Sequence, residues 1–288
     1  MNKPLLSLCI PTNGVIDLVF PVLDSIYYQG VDENLFEVVL MDNGDNNEFK
    51  KMIKEYAEKH SNLFYKETAS KGFTNEVDSY RAANGLFIKF INHRTKLLPG
   101  TLKGFLKFVE ENKEAKPCIY FSNGVLKIKG ITQYDSFDQY VKNLSYYSSW
   151  STGVAFWKED FDKIKDPSSF DELFPHTGIL FFERKKSKYI IDNRKLLDEI
   201  DVGHANKGHY DLFNAFAVVY PSLIEKLVND GDISKKTFES VKKENLGFLG
   251  ELYFDFIIKN HPCSYDLSSF EESSKVYYSP KQIKHAAK

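Results

Sequence analysis

Three shortages narrow what this 288-residue chain does before any motif is considered. Cysteine is one. Cys9, Cys118 and Cys263 are odd in number and far apart, so neither a disulfide framework nor a CxxC or Cys/His zinc cluster is in prospect, and a reducing compartment suits them. A basic excess is the second. With 38 Lys and Arg against 40 Asp and Glu, the formal net charge is −2, whereas a surface that tracks nucleic-acid phosphates needs surplus cations. Long apolar runs are the third. None approaches the ~20 residues that cross a bilayer, and MNKPLLSLCIP meets a proline too soon for a secretory signal. The expected setting is the cytoplasm, with any membrane contact peripheral and at the inner face.

Hydrophobic residues at 42% and charged residues at 27% are the balance of a globular protein with a core. Aromatics reach 15%, with 24 Phe and 17 Tyr. Two explanations stay open: aromatic platforms for sugars, and an AT-rich genome that inflates Phe, Tyr, Lys and Asn. The second carries more weight.

The apolar pattern alternates between two periods. Short apolar runs at 5–10, 36–41, 63–67, 86–92 and 117–122 predict strands, and amphipathic stretches at 15–30, 50–59, 75–83 and 100–111 predict helices between them. Five strands alternating with helices through short loops require a mainly parallel sheet covered on both faces. Ligands in such sheets sit at the carboxyl ends of strands near a change in strand order, so the loops beginning at Pro11, Asp42, Thr68 and His93 come forward. After residue 125 the rhythm changes. Residues 154–157 predict another strand, and 212–228, 235–242 and 246–259 predict helices. The polar tail from Glu271 is expected to be solvated and frayed, with its lysines only a marginal anchor for anionic lipid. The expected architecture is a Rossmann-like α/β domain over 1–203 and a helical extension over 204–288.

Pro11-Thr12-Asn13 ends the first strand and Asp42-Asn43-Gly44 ends the second. An acid at the second position can accept from a base N–H or a ribose hydroxyl, although Asp-Asn-Gly is also a favoured turn sequence. The ordered set LSLCIPTNG, EVVLMDNGDN, Ser70-Lys71-Gly72-Phe73-Thr74-Asn75, Ala83 to Phe90 and Leu97-Leu98-Pro99-Gly100 resembles the opening of family 2 glycosyltransferases across roughly the first 110 residues. The resemblance implies a GT-A fold, a nucleoside diphosphate sugar donor, and inverting transfer to a hydroxyl of a glycan or lipid-linked saccharide. Carried over by position, it places Pro11, Thr12, Asn13, Asp42 and Asn43 at the nucleotide. Lys71, Gly72 and Asn75 fall near the ribose or phosphates, and Arg81 within reach of the diphosphate. For Arg81 a solvated helix position is an equal alternative.

One departure stands out. Where the resemblance calls for an Asp-x-Asp that holds Mg²⁺ or Mn²⁺ against the diphosphate, this chain has Asn92-His93-Arg94-Thr95 and no carboxylate. Hard divalent cations want oxygen ligands, so no metal site and no certain cofactor is expected here. Either Arg94, Lys96 and Lys71 replace the cation, since a guanidinium forks onto phosphate oxygens, or catalysis has been lost and the protein is a sugar-nucleotide or glycan binder. His93 as ligand to a softer metal is a minor third reading.

Transfer needs a general base. The family's Asp falls near Leu173-Phe174-Pro175-His176, after Ser169-Phe170-Asp171-Glu172, so His176 is the first candidate, with Asp171 and Glu172 behind it. The alternatives are a packed core histidine and two turn caps. Trp150 and Gly153 are candidate acceptor-side residues, although aromatic residues are more often core. In Gly203-His204-Ala205-Asn206-Lys207-Gly208-His209, His204 and His209 are candidates for a lid, against a simple linker. A nucleotidyltransferase on a similar sheet is disfavoured, because the loop after the first strand is not rich in glycine and basic residues.

Overall fold

The computed structural model describes residues 3–203 and 208–287. Its centre is built from runs with too few polar residues to face water. Strands β1 (Leu6–Thr12), β2 (Phe36–Asp42) and β4 (Phe87–Phe90) are buried along nearly every residue because helices cover both faces. Between them lie α1 (Ile16–Tyr27), α2 (Asn47–Ala57), β3 (Leu63–Glu67) and α3 (Thr74–Ala82). Beyond β4 come β5 (Thr95–Leu97), α4 (Thr101–Asn112), β6 (Cys118–Phe121) and β7 (Ile131–Tyr134). After an intervening helix, α5 (Phe137–Leu144), follow β8 (Val154–Trp157), α6 (Lys158–Phe161), α7 (Pro175–Phe182), β9 (Tyr189–Asp192) and β10 (Leu197–Glu199).

Eight strands form one sheet in the order β3-β2-β1-β4-β8-β6-β9-β7. Strands β8 and β7 run antiparallel to their neighbours and the rest are parallel. The chain spreads from β1 through β2 to β3 on one side and then crosses to β4 on the other. The strand order therefore reverses between β1 and β4, the place where an open α/β sheet opens a crevice at its carboxyl ends. Strand β10 pairs antiparallel with β5 in a separate two-stranded ribbon, which sets Glu199 opposite Thr95.

The chain divides into two compact units, Met1–Tyr134 with Trp150–Ile200, and Asp135–Ser149 with Asp201–Lys288. A single cut at 203/204 would leave Asp135–Ser149 with the sheet. The segment belongs instead to the helical unit because α5 is amphipathic: Phe137, Tyr140, Val141 and Leu144 are buried, and the helix packs on α10. In that unit α8 (Leu212–Asn214) runs through a π-helical stretch, Ala215–Val219, into α9 (Tyr220–Asn229). The two helices expected at 235–242 and 246–259 are one, α10 (Lys235–Tyr253), extended by Phe254–Ile258. Asn245, which broke the apolar pattern, is fully buried and donates to Phe216 O and Tyr278 Oη, so the helix passes through it. The tail is not frayed. It forms α11 (Phe270–Tyr277) and α12 (Pro280–Ala286), which bury Phe270, Ser273, Ser274 and Ile283.

Candidate functional site

At the end of β2 the turn is closed by its own polar groups. Asp42, 1% exposed, accepts from Gly44 N at 2.8 Å and from Tyr65 Oη at 2.9 Å. Gly44 is required by close approach, since a Cβ there would lie 2.1 Å from the Asn13 carbonyl oxygen. Asn43 donates through its backbone to Thr12 O and through its side chain to Ser70 O, which ties the β1, β2 and β3 loops together. Beneath them, Asn75 in the first turn of α3 donates to Thr12 O and Met41 O. Asn75 is buried, and its Oδ1 has no hydrogen-bond partner among the described residues. Pro11 is half-buried, whereas Asn13, Lys71 and Gly72 are exposed. Gly72 adopts a left-handed φ of 56° where the chain turns into α3.

Across the switch in strand order, Thr12 Oγ1 lies 2.8 Å from His93 Nδ1. The same hydroxyl accepts from Gly14 N at 3.0 Å. The contact with His93 engages Nδ1, and in the tautomer protonated at Nε2 the Thr12 hydroxyl donates to it. Burial, with the Arg94 guanidinium beside it, pushes His93 down to about 4. At neutral pH the ring is therefore uncharged and not a cation facing phosphate. Arg94 is the cation of this loop. Its Nε donates to Glu199 Oε1 on β10 at 2.9 Å, Ile200 N donates to Arg94 O, and no partner occupies Nη1 or Nη2 among the described residues. Asn92 Oδ1 accepts from Arg94 N at 3.2 Å and holds the turn.

These residues do not fit a divalent cation. The loop offers an amide oxygen already engaged, a neutral imidazole and a guanidinium, and the carboxylate bonded to the loop, Glu199, is paired with that guanidinium. No group of three or more His, Cys, Asp or Glu is assembled to hold a metal ion among the described residues.

A second polar pair begins one residue after Asn75. Glu76 Oε1 and His176 Nδ1 lie 3.1 Å apart, and the two residues are 2% and 4% exposed. Glu76 stands in the first turn of α3 and His176 in the first turn of α7, which packs against β8. Sequence reasoning passed over Glu76, because an acid in an otherwise amphipathic helix reads as solvent-facing. Asp171 accepts from Leu173 N at 2.8 Å in a turn, and Glu172 is exposed.

Trp150, 37% exposed, and Gly153 flank the one-turn segment before β8. Two bonds pin that segment: Tyr120 Oη donates to Trp150 O at 2.8 Å, and Lys89 Nζ donates to Thr152 O at 2.6 Å. Gly153 lies against the Tyr120 ring, where an added Cβ would come within 2.1 Å of a ring carbon.

Arg81 is not brought to this edge. It is exposed in the last turn of α3 and pairs with Asp78 at 3.4 Å, about 9 Å along the helix from Asn75 at 1.5 Å per residue. His204 lies outside the described residues, and His209 is exposed in the helical unit. No helix among the described residues is long and apolar enough to cross a membrane.

Known proteins share this fold. TarS of S. aureus, residues 1-349 in complex with UDP, matches with a TM-score of 0.59 and 15% identity over 89% of this chain and 73% of that one. The same protein in complex with UDP-GlcNAc matches with a TM-score of 0.55 and 14% identity over 98% and 79%. The mannosyltransferase PcManGT from Pyrobaculum calidifontis, in complex with GDP-Man and Mn²⁺, matches with a TM-score of 0.56 and 14% identity over 99% and 86%. These likenesses establish a GT-A fold. No curated protein matches the sequence. The model of glycosyl transferase family 2 matches residues 7–165, more than half of the 288, and the chain belongs to that family.

Proposed function

We propose that this protein binds a nucleoside diphosphate sugar at the carboxyl ends of β1, β2 and β4 and transfers the sugar to a glycan or lipid-linked hydroxyl without a divalent cation. The observation that carries the reading is Arg94. It occupies the loop where the family resemblance calls for metal-binding carboxylates, and one edge of its guanidinium is fixed by Glu199 while both Nη groups remain to fork onto phosphate oxygens. The family match supports transfer chemistry, and the UDP, UDP-GlcNAc and GDP-Man bound to the structural neighbours support the donor class. The base and the sugar are left open.

In this reading the acceptor oxygen attacks the anomeric carbon from the face opposite the diphosphate. The bond to the phosphate oxygen breaks with its electron pair, the anomeric centre inverts, and the acceptor proton passes to a base. Arg94 and the His93 Nε2–H meet the charge that develops on the leaving diphosphate. His176 is assigned as the base, with Glu76 orienting its ring through Nδ1.

Donor turnover is expected to persist in EDTA, and Arg94→Ala to lower it roughly a hundredfold, as losing one preorganised charge donor does. His176→Gln should lower kcat at least a hundredfold; unchanged turnover would leave the Glu76–His176 pair as a tie between α3 and α7. The deep burial of His176 favours a second reading, a non-catalytic sugar-nucleotide binder. Binding without turnover across a donor panel with acceptor present would establish it.

A further inference from the structure

Strand β4 runs through the middle of the eight-stranded sheet, and its residues other than one are Phe87, Ile88 and Phe90. The exception is Lys89, which is 0% exposed. Its Nζ donates to Phe90 O at 2.7 Å, Thr152 O at 2.6 Å and Val154 O at 3.4 Å, and faces the Phe121 ring at 5.6 Å. Every partner is a carbonyl or a ring. Among the described residues no carboxylate pairs with it.

Three carbonyls suit the three N–H groups of an ammonium. A buried charge without an opposite charge nevertheless costs free energy that a methionine in the same space would not. The three carbonyls account for the amine's N–H groups but not for its positive charge. The acceptors show where the charge sits. Phe90 is two residues before Asn92, and Thr152 lies in the pinned segment before β8, so the amine is under the two backbone segments that border the carboxyl end of β4. Burial pushes this ammonium down to about 7, and an anion bound above it would hold the proton in place.

We propose that Lys89 is a buried charge of the donor site, acting through the floor of the crevice on the diphosphate that Arg94 contacts from the loop. Two protein cations at different depths then supply the neutralisation, and Lys89 contributes through its field without touching the ligand. The proposal rests on the donor reading above.

The test compares the binding of UDP and GDP with that of uridine and guanosine, by calorimetry, in the full chain and in Lys89→Met and Lys89→Gln. Methionine fills the same space without charge. Glutamine keeps two N–H donors for the carbonyls without the charge, on a side chain one atom shorter. Each folded variant should bind the diphosphate that wild type prefers about tenfold more weakly, the order expected for a unit charge about 10 Å away at an effective dielectric near 20, with nucleoside affinity unchanged. Equal diphosphate affinity in either folded variant overturns the proposal. So does a parallel loss of nucleoside and diphosphate, which marks a purely structural lysine. A wild-type chain that binds neither UDP nor GDP instead sinks the donor reading itself, and this inference with it.

Discussion

The turn after β2 and the loop after β4 lie at the same edge of one sheet, and they handle polarity in opposite ways. In the first, Asp42 is fully engaged by Gly44 and Tyr65, Asn43 by Thr12 and Ser70, and Asn75 bridges β1 and β2 from below. Apart from Asn75 Oδ1, which has no partner among the described residues, these bonds are spent on shape. In the second, His93 is tied to Thr12 by one ring nitrogen and Arg94 to Glu199 by one edge, and each keeps donors on its other side. A cluster satisfied internally is a scaffold that offers a fixed surface, whereas a half-satisfied one is poised to bind. In the proposed reading that contrast puts the donor contacts on the β4 side, in the loop that departs from the family pattern.

Four experiments press on the contrast. The largest effect is expected from pH. In the fold His93 stays neutral down to about pH 4, while the unfolded imidazole takes up its proton near 6.5. Between those values the unfolded chain binds more protons, so stability is unaffected by this group above 6.5 and falls by about 3 kcal/mol as pH drops to 4. Urea midpoints across this range should fall less steeply in His93→Gln, and equal slopes would contradict the burial of the ring. Next comes restoration of the carboxylates. Asn92→Asp combined with Arg94→Asp should give a chain that Mn²⁺ stabilises, by ~2.7 kcal/mol at a hundredfold excess over Kd, whereas wild type shows no shift in a melting assay. An equal shift in both would erase the difference between the two loops. Third, Asn75→Ala removes the donor beneath the scaffold and should cost about 1–2 kcal/mol in urea unfolding. A smaller loss than that of Glu199→Gln would reverse the comparison. Smallest is Glu199→Gln itself. The Glu199 side chain is 54% exposed, so its ion pair contributes under ~1 kcal/mol, and its effect should appear as a higher KM for the donor with stability nearly intact.

Much of the sheet was legible because its strands are runs of one character. β3 and β8 fall on the predicted residues, and β1, β2, β4 and β6 differ from prediction by a few terminal residues. Elements shorter than the pattern they would need went unread. Strands β5 and β10 have three residues each and exist only as partners to one another, and Tyr189–Asp192 is four residues between polar stretches. The helical tail was misread because α11 and α12 bury few apolar residues, Phe270 and Ile283, beside two serines.

At the site, turn chemistry made the β2 loop readable and the missing carboxylates made the β4 loop conspicuous. Burial was not readable. His93 and Arg94 are adjacent basic residues in sequence, yet only the fold shows that one is held neutral far into the acid range while the other is paired with Glu199. Glu76 and Lys89 escaped for the same reason. A charged letter inside a helix or strand pattern counts as an exception until the surrounding packing shows that it has been enclosed.

The contact between Gly153 and Tyr120 has a consequence for inheritance. The ring fills the volume that any side chain at 153 would claim, and its hydroxyl holds the Trp150 carbonyl, so neither position can drift alone. In descendants of this chain a larger residue at 153 should arrive only with a smaller one at 120, and that exchange would release the Trp150 segment from its tie to the sheet.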